Sequence, residues 1–483
     1  MPFPSRRKFL QFAAVTGAAA AVPARKLFAV GGDEQVNLGI IGCGWRGGQL
    51  LDLFRKLPNA RIAGLCDVDQ DLLDKMSQQV PQAKKWTDMR HMLDSPEIDA
   101  VVIATCNHWH CLAAIWAMQA GKHVYVEKPL GQKHWEGEQV VNASQKYHRI
   151  CQVGTQQRSD PMQTEIKQFL HDEKAIGEIE SVRVNRFGVR KSIGRRATPL
   201  VPPKSVDYNL WLGPAKDIPI YRDKLHYDWH WSWNTGSGEM GNWGVHILDD
   251  VRNNIFRDSV AVPTTVTAAG GRFAWNDAGD TPNVQFAVLE AGTIPVVVNL
   301  SNLPIDIAAV KIPGPSSGYI AYCEGGRLEG QRGKAAAFDG AGKLVKEFSG
   351  NGGNLLHQQN FIDAIRENSS SRLAAPAQVG HDSTTWCNLI NIATRVPSES
   401  TQTPREETTQ LFGTESKKAI FAQLQAIVAA NTEGDPPPKL LLGPTLRFHK
   451  ESQQFVGSKA NEANQMLRRE DRKPFVVPEV KTS

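Results

Sequence analysis

The segment from Val36 to Asp67 constrains this chain more than any other. Val36 to Ile41 is a short apolar run of the kind that forms a buried parallel strand. It leads directly into Gly42-Cys43-Gly44-Trp45-Arg46-Gly47. The stretch that follows, to about Lys56, carries Leu50, Leu51, Leu53 and Phe54 at helical spacing. A second strand over Arg61 to Cys66 ends at Asp67, twenty residues after Gly47. Strand, glycine turn, helix, strand and terminal acid together form the dinucleotide fingerprint. Gly42 permits the tight turn. Gly44 has no Cβ, so a pyrophosphate can approach the helix N-terminus. Gly47 allows close packing of helix on strand, and Trp45 and Arg46 are read with the turn as cofactor contacts. Asp67 can accept hydrogen bonds from ribose hydroxyls and would repel a 2′-phosphate. No arginine follows it (the chain reads Val68-Asp69), so the reading favours NAD over NADP.

The alternation of strand and helix continues. Ala100 to Thr105 reads as a buried strand ending in Cys106-Asn107-His108-Trp109-His110, with a helix from about His110 to Ala120. Ligands bind beyond the carboxyl ends of such strands, which puts Thr105, Asn107 and His110 on the ligand side. Lys122 to Val126 ends in Glu127-Lys128-Pro129, and Ile150 to Val153 ends in Gly154-Thr155-Gln156-Gln157-Arg158. Residues 35–155 therefore read as a doubly wound parallel sheet. Glu180 to Arg186, Thr264 to Ala269, Val284 to Glu290 and Ile294 to Leu300 read as β-rich segments.

The order of fingerprint, Thr105-x-Asn107-x-x-His110 and Glu127-Lys128-Pro129 resembles the glucose–fructose oxidoreductase / inositol dehydrogenase family, Gfo/Idh/MocA. The likeness runs from about Val36 to Val396. Val206 to Pro214 and Gly380-His381-Asp382-Ser383 resemble its exported members; the tail beyond Pro397 is not matched. The resemblance implies an α/β plus α+β chain: an N-terminal Rossmann domain, then a C-terminal α/β domain over 156–396 built on a large, mostly antiparallel open sheet. That sheet would cover the nicotinamide, hold the substrate and form a homo-oligomer interface.

The resemblance also assigns residues. Lys128 takes the place of the family lysine beside the nicotinamide and the reacting hydroxyl, with Glu127 next to it. His246 takes the histidine of an Asp-x-x-x-His helix motif, and an imidazole titrating near neutrality suits a general base. Asn242 stands in the aspartate position, on the same helix face at i and i+4. It can hydrogen-bond a sugar hydroxyl but cannot carry a proton. Asp249 and Asp250 either support His246 or are structural.

Other substrate candidates come from the residues themselves. In His226-Tyr227-Asp228-Trp229-His230-Trp231-Ser232-Trp233, three tryptophans at alternate positions would share one face of an extended segment. They serve either as sugar-stacking faces or as core; Tyr227 or His230, rather than all three tryptophans, is expected to touch ligand. Arg158 binds an anionic substrate group or salt-bridges within the fold. No metal-ligand spacing is evident, and no metal is expected.

Composition excludes some classes. A net charge of +5 over 483 residues, without a basic run, gives no footprint for nucleic acid. Seven cysteines without a C-x-x-C pair argue against a disulfide scaffold. Ser5-Arg6-Arg7-Lys8-Phe9-Leu10, the alanine-rich run to Val22, and small residues at Val22-Pro23-Ala24 or Leu27-Phe28-Ala29 read as a twin-arginine signal over 1–30. The expectation is a periplasmic protein, exported through the twin-arginine machinery, with no membrane span after signal removal. Residues 397–483 read as a helical extension, Glu406 to Ala430, and a charged arm.

The two signals combine into a functional expectation. An exported protein meets no NAD pool, so its cofactor would be held tightly and regenerated within each cycle. The expected activity is oxidation of a sugar or polyol hydroxyl. The alternative is an NAD-dependent glycosidase that oxidises, eliminates, hydrates and re-reduces its sugar.

Overall fold

The computed structural model describes residues 35–305, 310–396, 411–412, 415–434 and 436–482. The signal read at 1–30 lies outside them. Six parallel strands form the first sheet: β1 (Val36–Ile41), β2 (Ala60–Cys66), β3 (Lys84–Trp86), β4 (Ala100–Ile103), β5 (His123–Val126) and β6 (Cys151–Val153). Their order is β3-β2-β1-β4-β5-β6. The strand order reverses between β1 and β4, which opens a crevice at their carboxyl ends. The run in β1 is continuous because both of its faces are covered. Val36, Leu38 and Ile40 pack with Leu50, Leu51 and Phe54 of helix α1 (Trp45–Phe54), and Ile41 joins the opposite cluster with Ile103 and Leu112.

Helix α2 (Asn107–Gln119) begins ahead of the expected His110. His108 and Trp109 are buried, with His108 Nε2 against the Trp211 carbonyl at 3.1 Å and Trp109 Nε1 donating to the Leu210 carbonyl at 2.9 Å. That tertiary contact draws the first turn forward, so Asn107 and His110 stand on a helix rather than on a loop.

The second sheet has ten strands. They are β7 (Ile179–Phe187), β8 (Thr265–Gly271), β9 (Val284–Ala291), β10 (Ile294–Ser301), β11 (Ser317–Cys323), β12 (Gly326–Gln331), β13 (Lys334–Asp339) and β14 (Leu344–Ser349), with two from the tail. A separate small pair, β15 (Leu411–Phe412) and β16 (Glu415–Ser416), precedes the tail strands β17 (Leu446–His449) and β18 (Gln454–Val456). The order is β14-β13-β12-β11-β7-β10-β9-β8-β17-β18, and of these neighbours only β7 and β10 run parallel. One face packs on helix α3 (Val245–Asn254) and the helix Ala377–Arg395. The other face is covered by the helix Lys417–Asn431, whose Ile420, Phe421 and Leu424 meet Val284, Phe286 and Val297. That helix starts later than the periodicity indicated, where the Ser416 side chain accepts from the Ala419 amide at 3.1 Å. Residues 406–410 lie outside the described set.

Packing crosses the segments 35–155, 156–396 and 397–483. Phe361, Ile362 and Ile365 join the Rossmann core beside Leu38 and Phe54, and Phe475, Val477 and Val480 join it beside Ile103 and Leu112. The Cys43 and Cys66 thiols are buried and unpaired, as expected of small apolar fillers. Among the described residues no helix is long and apolar enough to cross a membrane.

Candidate active site

A single cavity of about 860 Å³ runs along the crevice from the α1 N-terminus into the second sheet. At its Rossmann end the glycines take different tasks. Gly42 has φ +97°, and a Cβ there would lie 2.6 Å from the Ala104 carbonyl oxygen. A Cβ on Gly47 would lie 1.8 Å from the Gly42 carbonyl oxygen, so helix and turn touch backbone to backbone. Gly47 supports the cavity without lining it. A Cβ on Gly44 would meet nothing within 4 Å. That space, at a helix start, is the cradle a pyrophosphate needs.

Asp67 lines the same end. Its Oδ2 accepts from the Cys43 amide at 2.5 Å and its Oδ1 from the Asp69 amide at 2.8 Å, which fixes the carboxylate over the glycine turn. Burial raises its pKa above the ordinary carboxylate value, and the two amides oppose the rise. Beyond Asp67 the cavity is walled by Met89, Trp116, Trp211 and Phe475. Trp45 stands at the rim, 75% exposed. These residues fit a dinucleotide.

The middle of the cavity is an ionic girdle. Arg46 Nε donates to Glu127 Oε1 at 2.7 Å, and Gln156 Nε2 donates to the same oxygen at 3.2 Å. Burial alone would raise the Glu127 carboxyl, but Arg46 and Lys128 hold it below its ordinary pKa. Thr105 and Asn107 line the cavity at the carboxyl end of β4. Asn107 Oδ1 accepts from Ser237 at 3.1 Å. His110 places its ring nitrogens against the Pro129 carbonyl at 2.8 Å and the Thr105 carbonyl at 3.1 Å. It ties the end of β4 to the Lys128-Pro129 turn, and burial keeps its pKa low.

At the far end Lys128 and His246 face one space. Lys128 Nζ donates to the Asn242 carbonyl at 2.7 Å and lies 3.4 Å from Asn242 Oδ1. Burial lowers its pKa to about 8. Asn242 and Trp243 sit in a π-helical turn, Met240–Gly244, that feeds α3, and His246 lies on the first turn of α3. Among the described residues the His246 ring has no hydrogen-bond partner; it packs edge-on to Trp243 at 5.9 Å. Burial first, then the charges of Lys128 and Arg332, hold its pKa well below that of a free imidazole. Burial and these cations hold the ring in its neutral form.

Asn242 Nδ2 donates to Glu239 Oε2 at 3.2 Å. Glu239 is fully buried and accepts from Arg186 at 2.7 and 2.9 Å and from Arg190 at 3.1 Å. The carboxylate missing from position 242 is thus supplied one helical turn earlier. Glu239 orients the asparagine while the two arginines neutralise it. Sequence reasoning missed Glu239, Arg190 and Arg332. The loop and hairpin that present the arginines carry no signal of it.

Other expectations change. The segment after Tyr227 is not extended: Asp228–Trp231 is a 3₁₀ turn, so the three tryptophans separate. Trp229 lines the cavity and stacks on His230 at 3.6 Å, Trp231 is buried, and Trp233 lies under Arg395. Tyr227 and His230 both line the cavity, and Arg190 donates to the Tyr227 hydroxyl at 3.2 Å. Burial takes His230 down to about 3. Arg158 does not reach the cavity. Gln156–Ser159 is a 3₁₀ turn that aims Gln156 inward and Arg158 away, onto Asp249 at 2.8 Å and Asp258 at 2.8 Å. Asp249 is consumed by that pair, and Asp250 bonds Gln157, so neither orients His246.

The comparisons with known proteins agree with this architecture. Residues 36–155 match the oxidoreductase family with an NAD-binding Rossmann fold, and residues 191–298 match its C-terminal alpha/beta domain. Both matches support the Gfo/Idh/MocA family. A glycosyl hydrolase family 109 protein of Saccharopolyspora erythraea is 35% identical over 127 residues, 24% of this chain and 28% of the relative. Inositol 2-dehydrogenase 2 of the same organism is 32% identical over 190 residues, 39% of this chain and 53% of the relative. The alignments therefore span about a quarter to a half of these relatives' own lengths. The WlbA dehydrogenase of Bordetella pertussis, solved with NADH and UDP-GlcNAcA, has the same fold: TM-score 0.57, 18% identity, 75% of this chain and 97% of that one. Residues 36–155 and 191–298 thus resemble the NAD-binding Rossmann domain and the C-terminal alpha/beta domain of the Gfo/Idh/MocA oxidoreductases, and the tail packs back on the Rossmann core.

Proposed function

We propose that the protein oxidises a hydroxyl group of a sugar or polyol. The observation that carries this reading is the convergence of Lys128 and a neutral His246, without a hydrogen bond among the described residues, at the far end of the cavity that starts at Gly44. NAD, bound along Gly42, Gly44, Arg46 and Asp67, would supply the hydride acceptor. An imidazole nitrogen of His246 takes the hydroxyl proton. The Lys128 ammonium, held on the Asn242 carbonyl, donates to the same oxygen and stabilises its developing negative charge. Asn242, fixed by Glu239, orients a neighbouring hydroxyl. Tyr227, Trp229 and His230 offer aromatic faces to the ring. The Asp67 carboxylate over the turn favours NAD over NADP.

The reading includes a periplasmic location reached by the twin-arginine route, a cofactor loaded before export and regenerated in each cycle, and assembly of like subunits. A second reading is kept because a glycosyl hydrolase family 109 protein is among the relatives. In it the sugar is oxidised transiently, the aglycone is eliminated, water adds and the hydride returns, for a net hydrolysis.

The test is to purify the protein without added cofactor, assay bound NAD, and supply free sugars and aryl glycosides. Cofactor reduction by a free sugar supports the oxidoreductase. Aglycone release with no external acceptor supports the glycosidase. Protein that emerges cofactor-free and turns over only with added NAD defeats the closed cycle in both.

A further inference from the structure

The cations at the substrate end of the cavity exceed the groups that neutralise them. From the middle of the cavity to that end, Lys128, Arg46, Arg186, Arg190 and Arg332 meet the carboxylates Glu127 and Glu239, with Asp250 behind Arg332 pushed by burial toward its neutral form. Four of the five are engaged. Arg46 pairs with Glu127 at 2.7 Å, Arg186 and Arg190 share Glu239, and Lys128 bonds the Asn242 carbonyl. Arg332 differs. It stands at the turn between β12 and β13 and lines the cavity. Among the described residues its hydrogen bond is a long one, 3.5 Å to Gln156 Oε1, and it makes no ion pair with a carboxylate. Arg332 is solvent-accessible beside like charges, with no close ion pair to take up its guanidinium among the described residues, so an incoming oxyanion can pair with it directly. The planar fork of arginine matches a carboxylate in two parallel hydrogen bonds.

Resting on the sugar-oxidoreductase reading, we propose that the substrate is an acidic sugar or polyol and that Arg332 binds its carboxylate. The reacting hydroxyl then lies between Lys128 and His246, and the acid group is held on the β12–β13 hairpin. The carboxylate also offsets the positive charge around the base. The same oxyanion chemistry could come from a phosphate, either on the sugar or in the dinucleotide itself, and the experiment separates these sources.

NAD-loaded protein is titrated by calorimetry with glucuronate, galacturonate, their neutral parent sugars and glucose 6-phosphate. NADH absorbance is followed with each. A uronate is expected to bind roughly tenfold or more tighter than its parent sugar, as a charge-assisted pair implies. Added salt should erode that margin. Arg332→Gln should abolish the preference while leaving NAD affinity unchanged, and Arg332→Lys should restore part of it. The side chain is exposed, so an unchanged melting temperature confirms that the variants are folded. Equal or tighter binding of neutral sugars overturns the proposal. So does a preference for the sugar phosphate, or a loss of NAD affinity in Arg332→Gln, which would give the arginine to the cofactor. Uronate binding that depends on Arg332 but yields no NADH keeps the acid site and defeats the oxidoreductase reading. Turnover confined to neutral sugars does the reverse.

Discussion

Gly44 and Gly47 lie three residues apart, yet alanine should affect them in different ways. At Gly47 the added Cβ starts 1.8 Å from the Gly42 carbonyl oxygen, and real Cβ contacts do not fall under 3.0 Å. Helix and turn must separate by at least the difference, 3.0 − 1.8 = 1.2 Å. The obstacle is backbone, so no side chain can yield. Overpacking of this kind costs about 1–3 kcal/mol or more. At Gly44 the Cβ meets nothing, and φ is −70°, a value any residue adopts. Gly44→Ala should leave the free protein as stable as before, or stabilise it by about 0.4–1 kcal/mol through the unfolded chain. Its methyl group fills the approach to the helix N-terminus, so NAD binding should weaken by about 1–3 kcal/mol, roughly 5- to 150-fold. Thermal melting of the cofactor-free proteins and NAD titration by tryptophan fluorescence measure the two effects separately. A Gly44→Ala variant that binds NAD as tightly as the parent refutes the cradle. A Gly47→Ala variant that melts like the parent refutes the packing argument.

Two predictions concern the chemistry. The Lys128 proton is lost as pH rises through about 8, so turnover should fall on the alkaline side there; Lys128→Arg should move that limb upward, and Lys128→Ala should keep NAD binding while losing most turnover. His246 is held neutral well below the ordinary imidazole value, so no acid limb is expected near pH 6.5. His246→Gln should lower kcat by about 10²–10⁴-fold with NAD affinity unchanged, and a loss of affinity instead would remove it from the base role.

The strand–turn–helix at the Rossmann end of the cavity was legible because its residues are local. Gly42, Gly44, Gly47 and Asp67 act through the strand–turn–helix that contains them, and the apolar runs around them mark that unit without tertiary information. Lys128 and His246 were reached through motif resemblance, and both line the cavity. What failed was geometry that a linear pattern does not carry. Arg158 and Gln156 share a strand end, and a 3₁₀ turn decides which of them faces inward. The alternating tryptophans implied a strand, but residues 228–231 turn instead. Strands β11 to β14 went unread because Ser317–Ser349 is rich in glycine and charge; their hairpins are stabilised by neighbours in the sheet rather than by apolar alternation. Glu239 is invisible as a functional residue until folding brings Arg186 and Arg190 to it across about fifty residues of chain.

The C-terminal arm couples fold stability to the cofactor cavity, and its prediction can be separated from simple destabilisation. Arg469 lies 2.8 Å from the buried Glu136 and donates to the His108 carbonyl at 2.9 Å, while Phe475 packs edge-on to Trp109 at 5.5 Å. Phe475, Val477 and Val480 are 2%, 1% and 4% exposed. At about 1.5–3 kcal/mol for each buried side chain, the three contribute roughly 5–9 kcal/mol, comparable with the whole stability of many domains. Deleting residues 461–483 should therefore unfold the Rossmann domain rather than merely free its cofactor. Point variants are more readable. Phe475→Ala should cost about 3–5 kcal/mol and, because Phe475 walls the cavity, should also weaken NAD binding. Val480→Ala removes core packing away from the cavity wall, so it should lower the melting temperature and leave NAD affinity alone. Measured under conditions where both variants remain folded, an equal NAD affinity for the two would show that the arm supports the fold and takes no part in the site.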